Sequence, residues 1–90
     1  MRILHIEHRG QPTPDVVEAS KRRLGCIGTI EVMRQGTSLV FSYKTDNQGM
    51  PKTGYMITSR VESIHQDNTP YGVDLIVVTE NTIYVFGETH

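Results

Sequence analysis

Cysteine, tryptophan, net charge and long apolar runs are what this chain lacks, and each absence removes a class of function. One cysteine, Cys26, excludes an internal disulfide framework and any thiolate metal cluster within one chain. It also fits a reducing, cytoplasmic setting better than a secreted one. There is no tryptophan, and only Phe41, Phe86 and four tyrosines supply rings, so surfaces built on extensive aromatic stacking are ruled against. Nine Lys+Arg stand against ten Asp+Glu, which leaves no global field to draw the protein to nucleic acid or membrane. No segment approaches the 18 consecutive apolar residues of a membrane span. The N-terminus, Met1 to His8, carries charges where a signal peptide needs an apolar core. The expectation is a soluble cytoplasmic protein with no membrane association.

What the chain does have is a strong β pattern, densest between Val73 and Phe86. Two runs of β-branched and aromatic residues meet at Glu80-Asn81, read as a two-residue loop with Thr79 opposite Thr82 and with Asn81 supplying a left-handed conformation. That register places Leu75, Val77, Tyr84 and Phe86 on one face and Ile76, Val78, Ile83 and Val85 on the other. Both faces are apolar, so both are expected to be covered. One covering candidate is a second copy of the chain, with Ile76, Val78, Ile83 and Val85 as the oligomer interface.

Ninety residues make one domain, 1–90, which buries roughly 60% of its unfolded surface and gains from association. Arg2 to His8 reads as a strand with Leu4 and Ile6 on one face and Ile3 and His5 on the other. Thr13 as N-cap, Pro14 at the first helical position, acidic Asp15 and Glu18, then Lys21 to Arg23 before Gly25, define a helix over Pro14 to Leu24. Its apolar stripe of Val16, Val17, Ser20 and Leu24, with Ala19 beside it, is spaced to dock on a sheet. Strands follow over Ile27 to Arg34 and Ser38 to Thr45, with Leu39, Phe41 and Tyr43 inward. A third runs from Tyr55 to His65, bent near Thr58-Ser59. Residues 46–54 and 66–72 read as polar loops. The predicted fold is α+β. One N-terminal helix packs on a mostly antiparallel, strongly bent sheet or small barrel of five to six strands, in the order β-α-β-β-β-β-β.

That element order resembles Sm-like domains, in which a helix precedes five antiparallel strands, although the loop residues by which Sm and Hfq proteins hold uracil are not found here. The run Thr58-Ser59-Arg60-Val61 with Val77-Val78-Thr79-Glu80-Asn81-Thr82-Ile83-Tyr84 is similar to the C-terminal hairpin of small bacterial and phage accessory proteins. This second resemblance covers about a third of the chain and implies an accessory role without an activity.

No catalytic constellation emerges. His5 and His8 are three apart and fall on opposite faces of a strand, His65 is distant and His90 terminal, so no metal site is expected. Cys26 follows the helix C-terminus, where the dipole raises a thiol pKa. Ser59 and Ser63 share a face with His65 but lack a third partner. No G-x-S-x-G, H-E-x-x-H, P-loop or G-x-G-x-x-G motif occurs. The reading is therefore a non-catalytic binding module without a cofactor. Its partner is a protein, either itself as a homodimer or small ring, or another. Met50, Tyr55, Asp67, Tyr71 and Glu80 are the candidate binding residues. One alternative is a phage-encoded inhibitor presenting the acidic C-terminal third, Glu62, Asp67, Asp74 and Glu80, to a basic host protein. Another is a nucleic-acid binder, with Lys21, Arg22 and Arg23 ending the helix and Arg34, Lys44 and Tyr43 lining a sheet surface.

Overall fold

In the computed structural model, which describes residues 1–88, six strands close into one antiparallel barrel in chain order. They are β1 Arg2–His8, β2 Ile27–Val32, β3 Ser38–Thr45, β4 Tyr55–Thr69, β5 Gly72–Thr79 and β6 Thr82–Gly87, with α1 Pro14–Arg23 between the first two. His90 lies outside the described residues. The small-barrel expectation holds, and the open-sheet variant does not: β1 pairs with β6 along its length and with β2 through Arg2 opposite Ile27. Closure leaves one inner face, and that face is the core. Ile3, Leu39, Phe41, Met56, Val61, Val77 and Phe86 are fully buried there, with the Phe41 and Phe86 rings stacked 5.4 Å apart.

The β5–β6 hairpin has the register read from its sequence, Val78 opposite Ile83 and Leu75 opposite Phe86. Val77, Tyr84 and Phe86 point inward, while Ile76, Val78, Ile83 and Val85 form a half-buried outer face. The turn, however, is not made by a left-handed Asn81, because no described residue other than glycine has positive φ. Hydrogen bonds hold it instead. The Thr79 hydroxyl donates to the Thr82 carbonyl (2.6 Å) and accepts from the Thr82 amide (3.1 Å). The Arg9 guanidinium reaches the Thr79 carbonyl at 2.7 Å, and the Arg9 amide donates to the Asn81 carbonyl.

Three further expectations are corrected. In β1 the alternation breaks at a bulge between Ile3 and His5, so Ile3 and Ile6, not Ile3 and His5, oppose the inward Phe86 and Tyr84. Leu4 is the extra residue and turns over Gly87, where a Cβ would collide with its Cδ1. Residues 66–69 are not loop: β4 runs on to Thr69 and pairs with β5 as far as Thr69 opposite Gly72, leaving only Pro70 and Tyr71 as the turn. The side chains there are polar on both faces because this end of the hairpin extends past the core.

The third correction concerns the helix. Its caps are as read, with the Thr13 side chain accepting from the Val16 amide and Leu24 at the C-cap before left-handed Gly25. Yet none of its residues is buried, and Val16 and Leu24 remain 44% and 42% exposed. A barrel filled by its own strands leaves a helix only the outer surface, against which Val17, Ala19 and Ser20 are half-buried. α1 is held to the strands by Ser20, whose hydroxyl is 2.7 Å from His8 Nε2, and by the Cys26 thiol donating to the Arg22 carbonyl.

Candidate binding groove between the helix and the long strand

β4 is bent where it crosses from β3 to β5. A register shift between the Val40 and Ser38 pairs places the irregularity at Thr58-Ser59. The Thr58 hydroxyl accepts from the buried Leu39 amide (3.0 Å) and donates to the Ser59 carbonyl (2.7 Å), filling the gap in the ladder. Before this bend Met56 and Thr58 point into the barrel. Tyr55, Ile57 and Ser59 therefore share the outer face over about 13 Å of strand. Tyr55 is 66% and Ile57 68% exposed, an unusual amount of apolar surface for adjacent positions on a regular strand.

The helix forms the opposite wall. Val16, Ala19 and Arg23, spaced three and four apart, fall on one side of α1. Two hollows open along this junction. One, of about 220 Å³, is lined by Ala19, Arg22, Arg23, Tyr43, Lys52 and Tyr55. The other, of about 400 Å³, lies between Pro12, Thr13 and Val16 on the helix side and Ile57, Thr58, Ser59, Asn81 and Tyr84 on the barrel side, with His8, Arg9 and Gln11 completing it.

The first hollow is basic and aromatic. Lys52 Nζ sits 4.8 Å from the centre of the Tyr43 ring, which meets Phe41 edge-on at 5.6 Å. Burial pushes the Tyr43 phenol above its ordinary pKa, while the charge and hydrogen bond of Arg23 draw it part of the way back. Arg22, Arg23 and Lys52 form no ion pair with any described residue. The two ion pairs, Arg9 with Glu62 and Lys21 with Glu18, use other cations. The Asp46 carboxylate accepts through Oδ1 from the amides of Gln48 and Met50, which orders the start of the 46–54 loop, and forms no ion pair with these cations. Three cations without an ion-pair partner among the described residues, beside two tyrosines, have the chemistry that suits an anion carrying flat apolar groups.

The second hollow is apolar on its walls and polar at its end. The Ser59 hydroxyl accepts from the Asn81 amide (3.1 Å) and has its own proton to give. The side-chain amides of Gln11 and Asn81 bond to no described residue. Behind them Tyr84 is buried, its phenol raised by loss of solvent and partly restored by the Thr82 hydroxyl.

The candidate residues from sequence do not form one surface. Tyr55 lines the basic hollow and Met50 is exposed on the neighbouring loop. Asp67 and Tyr71 lie at the far end of β4 on the β4–β5 hairpin, where Asp67 stands opposite Asp74. Glu80 is at the β5–β6 turn, with its carboxylate accepting from the Arg60 amide. Arg34 and Lys44 are exposed outside the groove. Ile57 was not among the candidates, Ser59 was weighed only as a nucleophile and Lys52 only as one of the chain's nine basic residues, though the Tyr55-x-Ile57-x-Ser59 alternation against Met56 and Thr58 carries the signal. Ser63 Oγ and His65 Nε2 are 3.1 Å apart on the surface with no carboxylate orienting the ring among the described residues. No cluster of three metal-ligating side chains occurs among the described residues, and none of their helices is long and apolar enough to cross a membrane. No protein-family model, curated protein or solved structure matches the chain.

Proposed function

We propose that the protein is a non-catalytic binding module for single-stranded nucleic acid, which lies in the groove between α1 and β4. The observation that carries this reading is the hollow in which Arg22, Arg23 and Lys52, without ion-pair partners, surround the exposed ring of Tyr55. Phosphates take the cations and a base stacks on the tyrosine, a division of labour typical of single-strand binders on small barrels. The overall charge of −1 is no obstacle, because Asp67 and Asp74 stand on the far β4–β5 hairpin and the Glu62 carboxylate is paired with Arg9.

The reading is tested by fluorescence anisotropy of labelled oligonucleotides across a salt series. For single strands the logarithm of affinity falls with the logarithm of salt by about 0.7 per phosphate contacted, so three cations give a slope near −2 and Lys52→Ala flattens it by about 0.7. Tyr55→Ala removes the stacking of one base, about 1–3 kcal/mol, or roughly 5- to 150-fold in affinity. Polyglutamate binding as tightly as an oligonucleotide of equal charge would mean that the groove reads charge alone, and the proposal would fall.

A further inference from the structure

The basic hollow explains the phosphates but not the larger cavity at the other end of the same groove. We infer that this cavity is a nucleobase pocket that discriminates among bases. The inference rests on the single-strand reading above and adds a specificity element to it.

The cavity has the form a base requires. Its volume of about 400 Å³ is within the range of small-molecule sites, roughly 300–1,000 Å³. Two apolar walls face one another, Val16 with Pro12 on the helix side and Ile57 on β4. A flat ring inserted between them buries Ile57 and Val16, which are otherwise 68% and 44% exposed. The edge of the ring then meets the carboxamides of Gln11 and Asn81 and the hydroxyl of Ser59. A carboxamide offers a donor and an acceptor side by side, the pairing that reads a base edge bidentately. None of these three groups has its full hydrogen-bonding capacity used by the described residues. Ser59 and Asn81 are also fixed relative to one another, because the Asn81 amide donates to Ser59 Oγ. Two of the three reading groups are therefore pre-placed, on the β4 bend and the β5–β6 turn, and Gln11 comes from the connection into α1. The same chemistry would accept the base of a free nucleotide, with the phosphate reaching toward the cations.

The experiment compares homopolymeric oligonucleotides of the four bases, at one length and salt concentration, against wild type, Asn81→Ala, Gln11→Ala and Ser59→Ala. Asn81 has an ordinary backbone conformation, so its truncation leaves the turn geometry available, and circular dichroism checks the fold of each variant. The expected result is a preference of at least about 10-fold for one base in the wild type. Asn81→Ala and at least one of the other two variants reduce it to about 3-fold or less, with the salt slope unchanged. A second arm titrates the four mononucleoside monophosphates and follows the Ile57 and Val16 methyl resonances by NMR. Base-dependent shifts there without binding of any oligonucleotide retain the pocket and assign it to free nucleotides, at the expense of the single-strand reading. Equal affinity for all four homopolymers with a normal salt slope overturns the pocket and leaves the single-strand reading standing. Binding of neither class overturns both.

Discussion

Thr79 is the side chain on which the closing hairpin turns, and its removal gives the most direct test of how this barrel is held. It is fully buried, and its hydroxyl both donates to the Thr82 carbonyl and accepts from the Thr82 amide. Thr79→Val keeps the volume and the branching at Cβ, so it opens no cavity. What it removes is the acceptor for a buried N–H, at about 1–3 kcal/mol, and a donor to the carbonyl, at about 1 kcal/mol. The sum is about 2–4 kcal/mol, a large share of the 5–15 kcal/mol available to a typical domain. For a chain of this size that lowers the melting temperature by roughly 10–30 °C. Thr79→Ser makes the opposite cut, keeping the hydroxyl and losing a methyl group, for about 1 kcal/mol. Urea unfolding followed by circular dichroism measures both, with the denaturant slope checked for constancy. The order wild type, Ser, Val is required. A valine variant within about 0.5 kcal/mol of wild type, or a serine variant weaker than the valine one, would refute the account of the turn.

Two other perturbations follow from packing and burial. Gly28→Ala puts a Cβ against the Ser42 carbonyl oxygen and within 2.8 Å of the Phe41 ring; because backbone and core must both give way, the urea midpoint is expected to fall by the equivalent of about 3 kcal/mol, and a loss under about 1 kcal/mol would show that β2 and β3 are not packed as described. Burial raises the pKa of Cys26 from its ordinary 9.0, with Lys52 offsetting part of this, and burial raises Tyr43 and Tyr84 from 10.0. All three are neutral when protonated, so their protons are held more tightly in the folded state and are released on unfolding at high pH. Their contribution to stability is complete below the ordinary values and is lost as pH rises through the raised ones. Unfolding free energy should thus be flat with respect to these groups at neutral pH and decline above about 9. Cys26→Ala should remove the earliest part of the decline, and an unchanged decline in that variant would show that the thiol is not its source.

Much of the architecture was legible in the sequence because its signals are local. Thr13-Pro14 and Gly25 mark the ends of α1 by capping chemistry alone. The Val73 to Phe86 register follows from a period of two and a short turn. The misses come where tertiary structure overrules the local pattern. The bulge at Leu4 depends on the absence of a side chain at Gly87, some eighty residues away in the chain. Gln66 to Asn68 look like loop by composition, yet their backbone is paired with β5. The helix stripe does face the barrel, but only its outside, so Val17, Ala19 and Ser20 are half-buried and none is fully buried. Of the groove, Tyr55 was read from sequence as a binding residue and Arg22, Arg23 and Tyr43 as basic and aromatic candidates. Their convergence with Lys52, Ile57 and Ser59 was not readable, since it needs the 46–54 loop to fold back on β3, where the Lys52 amide donates to the Lys44 carbonyl.

Barrel closure and the groove have a common cause. Six strands whose inner faces carry Phe41, Phe86, Met56, Leu39 and Val77 fill their own interior, so the core is complete before the helix is placed. An amphipathic helix in such a chain has only the outer surface to lie against, and the strand it approaches must carry apolar residues on its outward side. β4 does, at Tyr55 and Ile57, and only ahead of the bend at Thr58-Ser59; beyond it the outward positions turn polar at Ser63 and His65, opposite the outward Val78 and Ile76, and the strand is claimed by β5. The half-satisfied apolar surfaces of α1 and β4 are left facing across a gap that the chain does not fill. On the proposed reading a nucleic-acid strand fills it, its phosphates at the cations of one end and a base at the amides of the other.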